Sequence, residues 1–304
     1  MNDQHPHHHA HEHQEPEVPI ITIEREEEPR RPINQSTQPP KRNWLRWVAI
    51  VSLLLAVASG IVAGLMYWDY HYNIGVTLSA TPQENIEKLA RRGPSVKPEV
   101  VMTSDSVLGV RLDLYELRGL RGELTYQRPD TADASVYLYC RANDYRADGS
   151  MLGSLVMDGK VVATDDSRLG YFAAVGQRMV IGVGRNEAVM NYVAAHEGHY
   201  FRQFVLVSNG ELPTRFFLHG KVERRAWGRI GDQLYLIATP HPETLWAFAD
   251  ALREYGFVDA IYITGGNKAS FYRDAQGKIH EIGQPEPEEP SRKKVARPWL
   301  VFRR

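Results

Sequence analysis

Cysteine is nearly absent from this chain. Cys140 is its one thiol in 304 residues, which excludes an intrachain disulfide. A chain of this length can bury a core large enough to do without one, so the count leaves the compartment open. An excess of either charge is also missing: 36 Lys and Arg stand against 37 Asp and Glu, a formal net charge of −1. That balance argues against a nucleic-acid partner, which needs a strong basic footprint. Several catalytic motifs are absent. There is no Gly-x-Ser-x-Gly nucleophile elbow and no Gly-x-x-x-x-Gly-Lys phosphate loop. His196-Glu-Gly-His199 spaces its histidines three apart, whereas a zinc-protease helix needs four, and no third ligand follows. It reads as a loop leaving a helix. No motif calls for a cofactor or a metal.

Residues 1–43 lack hydrophobic periodicity and run from His-rich to Glu-rich to Pro-rich, the composition of a disordered tail. His5, His7, His8, His9, His11 and His13 are able to chelate a metal loosely, but nothing there fixes a coordination geometry. A solvated tail is the simpler reading. Charge is then absent from Trp47 to Trp68, about 22 residues, enough to span a bilayer as a helix. The span proper is 44–68. Trp47 stands at one end, with Tyr67 and Trp68 at the other, where interfacial aromatics belong. Lys41, Arg42 and Arg46 precede the uncharged run and Asp69 and His71 follow it. This bias predicts a cytoplasmic N-terminus and an extracytoplasmic remainder, periplasmic in a bacterium. A cleaved signal peptide is the alternative, disfavoured by the long leader. Gly60 and Gly64 have the small-xxx-small spacing that lets two helices approach, so a homodimer through them is one reading and ordinary span composition the other.

Residues 69–106 read as a stalk with a short helix that Thr81 caps, Pro82 opens and Glu84 closes in a capping box. An outer domain then covers 107–304. Short alternating runs dominate it, at Val110 to Tyr115, Val136 to Tyr139, Gly153 to Met157, Met179 to Val183 and Phe204 to Val207. One helix is expected near Asn186 to His196, and Trp299 to Phe302 reads as a last strand. The expected class is α+β: a curved mixed β-sheet with a few packed helices, preceded by one transmembrane helix.

The stretch with most information is 245–270. Leu245, Phe248, Ala249, Leu252 and Tyr255 recur at helical spacing, and Gly256 suits the left-handed end of that helix. Ala260 to Ile263 is a buried strand, and Gly265-Gly266 follows it. Two glycines there allow close approach to the main chain, and their amides suit an anion. A tight turn between strands is the other reading, since Ser270 to Arg273 also looks like a strand. Upstream, Lys221 to Ala238 reads as a hairpin around Gly231-Asp232.

Taken together, Arg224-Arg-Ala-Trp-Gly228, the hairpin, the helix and Asp259-Ala-Ile-Tyr-Ile-Thr-Gly-Gly266 resemble the phosphodiester glycosidases. That family carries Arg-Thr-Ala-x-Gly, a hairpin, a helix and Asp-Ala-x-x-Leu-Asp-Gly-Gly-Gly-Ser. The resemblance extends loosely over about Leu108 to Phe302. It implies a sugar phosphodiester or envelope glycan as ligand. It also implies substrate-binding roles for Asn143, Tyr145, Arg224, Thr264, Gly265 and Gly266, all in one cleft. Arg224 would grip the phosphate, and its neighbour Arg225 should point to the opposite face. The chain departs from the pattern where Thr264 replaces the family's aspartate and where Asn143 lacks its following glycine pair. Asn143 to Gly149 also reads as a solvated loop. If catalysis survives, Asp144, Asp148 or Glu223 must supply the carboxylate. Two functions therefore stand: a membrane-anchored hydrolase of sugar phosphodiesters, and a catalytically inactive ligand-binding or envelope scaffold protein.

Overall fold

The computed structural model describes residues 43–72, 82–93, 96–146, 148–214, 216, 218–263, 270–283 and 297–304. Thr81, Thr264, Gly265 and Gly266 lie outside them. Helix α1 spans Trp44–Tyr72. Its segment Trp44–Trp68 is long and apolar enough to cross a membrane, and none of it is buried.

From Pro82 onward the chain is α+β, as expected. Its strands are β1 (Glu99–Val107), β2 (Val110–Arg118), β3 (Arg121–Thr125), β4 (Val136–Arg141), β5 (Leu155–Met157), β6 (Lys160–Ala163), β7 (Gly170–Val175) and β8 (Arg178–Val183). They continue as β9 (His199–Gln203), β10 (Val205–Val207), β11 (Arg225–Ile230), β12 (Gln233–Ala238), β13 (Asp259–Ile263), β14 (Ser270–Arg273), β15 (Ile279–Ile282) and β16 (Trp299–Arg303). They form three sheets, ordered β1-β2-β12-β11-β13-β10, β15-β14-β4-β16-β3 and β6-β5-β9-β7-β8. Every pairing among the described residues is antiparallel.

All three sheets turn one face to a shared core. Trp227 and Ile261 come from the first sheet, Leu138 and Phe302 from the second, and Phe172 and Phe201 from the third. The outer faces are treated differently. Helix α4 (Leu245–Tyr255) covers the first sheet through Phe248, Ala249 and Leu252. Thr244 caps α4 by accepting from the Ala247 amide at 3.1 Å. Gly256 ends it at φ 106°, a conformation that glycine alone adopts cheaply. Helices α2 (Pro82–Ala90) and α3 (Ala188–Ala195) cover the third sheet, with Leu89, Val189 and Val193 packed on Tyr171 and Tyr200. The second sheet has no helix on its outer face among the described residues; Val136, Tyr139, Phe271, Trp299 and Val301 cluster there.

Two elements fall in the stretch read as a stalk. Strand β1 pairs with β2 along its whole length. Helix α2 is pinned by buried Asn85, which hydrogen-bonds the Tyr171 hydroxyl at 2.5 Å, and by a 2.9 Å ion pair from Lys88 to Asp232. A cavity of about 360 Å³ opens beside them, lined by Leu117, Arg118, Gln177, Met179, Gln233 and their neighbours. None of the sequence-predicted site residues lines it.

Candidate functional site

The strand ends that matter meet at one rim. Strand β4 leaves the second sheet at Arg141, and Asn143 and Asp144 follow it. Strand β9 leaves the third sheet at Gln203. Gln203 Nε2 donates to Asp144 Oδ2 at 3.2 Å, joining the two. Phe204, next in line, accepts from the Tyr262 amide at 2.8 Å, joining β9 to the end of β13. The last residue of β13, Ile263, pairs with Arg225 at the start of β11. Hydrogen bonds thus run continuously from the Asn143 loop to the strand that leads into residue 264.

Asn143 is the unusual member of this rim. The residue is 2% exposed, and neither Oδ1 nor Nδ2 has a hydrogen-bond partner among the described residues. A buried amide left in that state costs about 1–3 kcal/mol, so a site that completes it is favoured. The buried guanidinium of Arg168 lies 3.7 Å over the ring of Phe204, the chain neighbour of Gln203, and donates to the Ser167 carbonyl at 2.8 Å.

The two adjacent arginines separate as alternation requires. Arg224 faces away from the shared core. Its Nε donates to the Glu243 carbonyl at 2.9 Å and its Nη2 to the Gly220 carbonyl at 2.7 Å, tying the approach to β11 to the approach to α4. Arg225 faces inward. Its Nη1 donates to Ser270 Oγ at 2.8 Å and its Nη2 to the Ile282 carbonyl at 2.7 Å. Arg225 therefore adjoins both ends of residues 264–269, through Ile263 and Ser270. Burial lowers its pKa, with Cys140 and Glu223 opposing. The Cys140 thiol is pushed up to about 12, because burial outweighs Arg225 and Trp227. It is no nucleophile at neutral pH.

Among the carboxylates, Asp144 accepts from Gln203 at the rim. Asp148 is exposed and closes its own turn, accepting from the Ser150 amide at 2.8 Å and its hydroxyl at 2.7 Å. These Ser150 bonds lower its pKa. Asp165 was not singled out by the sequence. It accepts from Arg146 at 2.6 Å and from the Ser167 amide at 2.8 Å. Burial acts to raise its pKa, but the Ser167 and Arg146 bonds prevail and hold it at about 2. Tyr145 lies 5.8 Å under the Arg297 guanidinium. No cluster of His, Cys, Asp and Glu able to hold a metal occurs among the described residues.

The rim thus gathers Asn143, Asp144 and Arg225, whereas Arg224, Asp148 and Tyr145 have other local partners. Arg225, Gln203 and Arg168 are the residues that sequence reasoning missed. For Arg225 the signal was present: alternation placed it opposite Arg224, and only the identity of the inward face was lacking.

No family model matches the chain, and no curated protein matches it. Solved structures do. One is the catalytic domain of zebrafish N-acetylglucosamine-1-phosphodiester alpha-N-acetylglucosaminidase, auto-inhibited by its pro-peptide. It is 12% identical with a TM-score of 0.47, over 78% of this chain and 99% of that one. Another is a hypothetical protein from Synechocystis, 11% identical with a TM-score of 0.41, over 70% of this chain and 64% of that one. Both are weak resemblances of fold.

Proposed function

We propose that this protein is a single-pass membrane protein, cytoplasmic at its N-terminus, whose extracytoplasmic domain binds an anionic sugar, in the first instance a sugar phosphate or phosphodiester. The observation that carries this reading is the buried, unbonded Asn143 amide at the rim beside Asp144 and Gln203. An amide of that kind suits sugar hydroxyls, since it offers two donors and an acceptor in one plane. The inward Arg225 supplies positive charge beside the segment that holds Gly265 and Gly266. The motif resemblance in the sequence points to the same ligand class.

Hydrolysis is slow or absent on this reading. Binding an anion and supplying a carboxylate are separable contributions, and Thr264 stands where the resembled family has its aspartate. Asp144 is the carboxylate left at the rim. The test uses the full chain in detergent with a sugar-1-phosphodiester bearing a chromogenic leaving group. Binding without turnover above background supports the reading. Turnover lost in Asp144→Asn assigns the protein to the hydrolases instead.

A further inference from the structure

Helix α2 lies beside a trough at the end of the first sheet remote from the rim. Strand β13 begins there at Asp259, which pairs with Arg229 at 2.6 Å, and ends at the rim with Ile263. The cavity of about 360 Å³ is the larger part of this trough, with an apolar floor of Leu117, Leu120, Met179 and Leu234. Val96 also lines it and is 48% exposed, which places it at the mouth. Gly119 lets the chain come so close: at φ 58° a Cβ there would run into the Val96 carbonyl. A cavity of about 40 Å³ adjoins the first and shares Arg178, Met179, Asp232 and Leu234 with it. Asn85 and Lys88 of α2, and Arg91 just past its end, line the smaller cavity. Most charge around the trough is paired. Lys88 meets Asp232 at 2.9 Å, Arg229 meets Asp259, and Arg118 meets Glu116 at 2.7 Å and Glu99 at 3.2 Å. Arg178 and Arg91 differ, since neither has an ion pair among the described residues. Arg178 Nε and Nη2 donate to the Arg92 carbonyl at 3.0 and 2.6 Å. A carbonyl fixes the guanidinium and leaves its charge unneutralised. Arg91 is exposed and acts on Asp232 only through its longer-range field, behind Lys88 and Arg229.

We propose that the trough is a second binding site, separate from the rim, for a small amphiphilic anion: a phosphate monoester on one short aliphatic chain. Arg178 and Arg91 hold the phosphate, and the chain lies on Leu117, Leu120, Met179 and Leu234. A guanidinium fixed in advance loses little freedom on gripping a phosphate. The size of the cavity sets the length of the chain. At about 30 Å³ for each water-sized group, 360 Å³ holds roughly a dozen non-hydrogen atoms. That accommodates one short chain and excludes the two long chains of a membrane lipid. Covering the exposed Val96 and the half-buried Met179 adds apolar burial to the charge contact. The bound ligand bridges Arg91, after α2, to Arg178 on β8, so it also fastens α2 to the third sheet.

The test is calorimetric titration of hexyl phosphate into the full chain in nanodiscs of zwitterionic lipid, with empty nanodiscs as the blank. It is run at pH 8, where a phosphate monoester is a dianion. Inorganic phosphate and hexanol are the comparisons. The expected result is saturable one-site binding of hexyl phosphate, binding of inorganic phosphate at least about tenfold weaker, and none of hexanol. Arg91→Ala with Arg178→Ala should weaken hexyl phosphate binding by roughly tenfold or more, the loss of one or two charge-assisted contacts. Val96→Trp should block the mouth and abolish binding. Because Val96 is exposed, that variant keeps the test sound even where Arg178→Ala loosens α2. Asn143→Leu should leave hexyl phosphate binding unchanged, and Val96→Trp should leave N-acetylglucosamine-1-phosphate binding unchanged. Failure of the rim and failure of the trough are thereby distinguished. Hexyl phosphate binding that survives both Val96→Trp and the arginine pair overturns the proposal, as does its absence from the natural chain. So does equal binding of hexanol, because no anion would then be recognised. Loss of hexyl phosphate binding in Asn143→Leu overturns it too, because the rim would be its site.

Discussion

Replacing Asn143 by leucine is expected to stabilise the unliganded protein while removing its ligand. The two side chains branch at the same atom and leucine is somewhat the bulkier, so the exchange opens no cavity and asks only a small adjustment of the pocket. What changes is the polar group. Asn143 is 2% exposed, with both side-chain heteroatoms unbonded among the described residues. Such an amide costs about 1–3 kcal/mol in proteins, and leucine removes that cost. For a domain of this size each kcal/mol moves the midpoint by about 2–4 °C, so a rise of about 2–12 °C is expected. Asn143→Asp is the control. It places a charge in the same position and should lower the midpoint. The assay is thermal unfolding of the full chain in detergent followed by circular dichroism, with urea unfolding as a check. A leucine variant destabilised by a kcal/mol or more would mean that the amide is already satisfied in the resting protein. The rim would then have no unmet demand for a ligand.

The two adjacent arginines should behave differently. Arg224→Ala removes bonds to Gly220 and Glu243 and should cost about 1–3 kcal/mol in urea unfolding while sparing ligand affinity. Arg225→Met should cost at least as much, by leaving Ser270 Oγ and the Ile282 carbonyl unpaired, and should also abolish binding of N-acetylglucosamine-1-phosphate in a calorimetric titration. Asp165, held at about 2, lies below its ordinary value near 3.9. Its stabilising contribution is therefore present above about pH 4 and is lost as pH falls toward 2. Urea midpoints taken between pH 2 and 6 should decline less steeply in Asp165→Asn. Protease added outside sealed cells should digest the domain beyond Trp68 and spare the histidine-rich tail; the reverse pattern would invert the topology.

Much of the fold was legible because its elements follow their local patterns. The amphipathic stripe of α4, its Gly256 end, the β11–β12 hairpin and the late strand β16 all appear where periodicity and turn residues placed them. Other elements were hidden for physical reasons. Strand β1 presents mainly exposed polar residues such as Thr103, Ser104 and Asp105, and its pairing with β2 is what makes it a strand. Strand β7 is flanked on both sides in its sheet and buried at nearly every position, so Tyr171-Phe-Ala-Ala174 shows no alternation. Site residues were harder to read. Asn143 was found through the motif resemblance, but its burial without a partner is a tertiary fact. Gln203 reaches Asp144 across 59 positions of sequence. No spacing rule connects residues so far apart. The opposed directions of Arg224 and Arg225 were legible, and the assignment of faces required the packed sheets.

The most direct test of the account is calorimetric titration of N-acetylglucosamine-1-phosphate into the full chain and into Asn143→Leu, side by side. The account predicts saturable one-site binding by the natural chain, abolished by Arg225→Met, and no measurable binding by a leucine variant that is folded and more stable. Equal binding by the two proteins, or none by the natural chain, would contradict it.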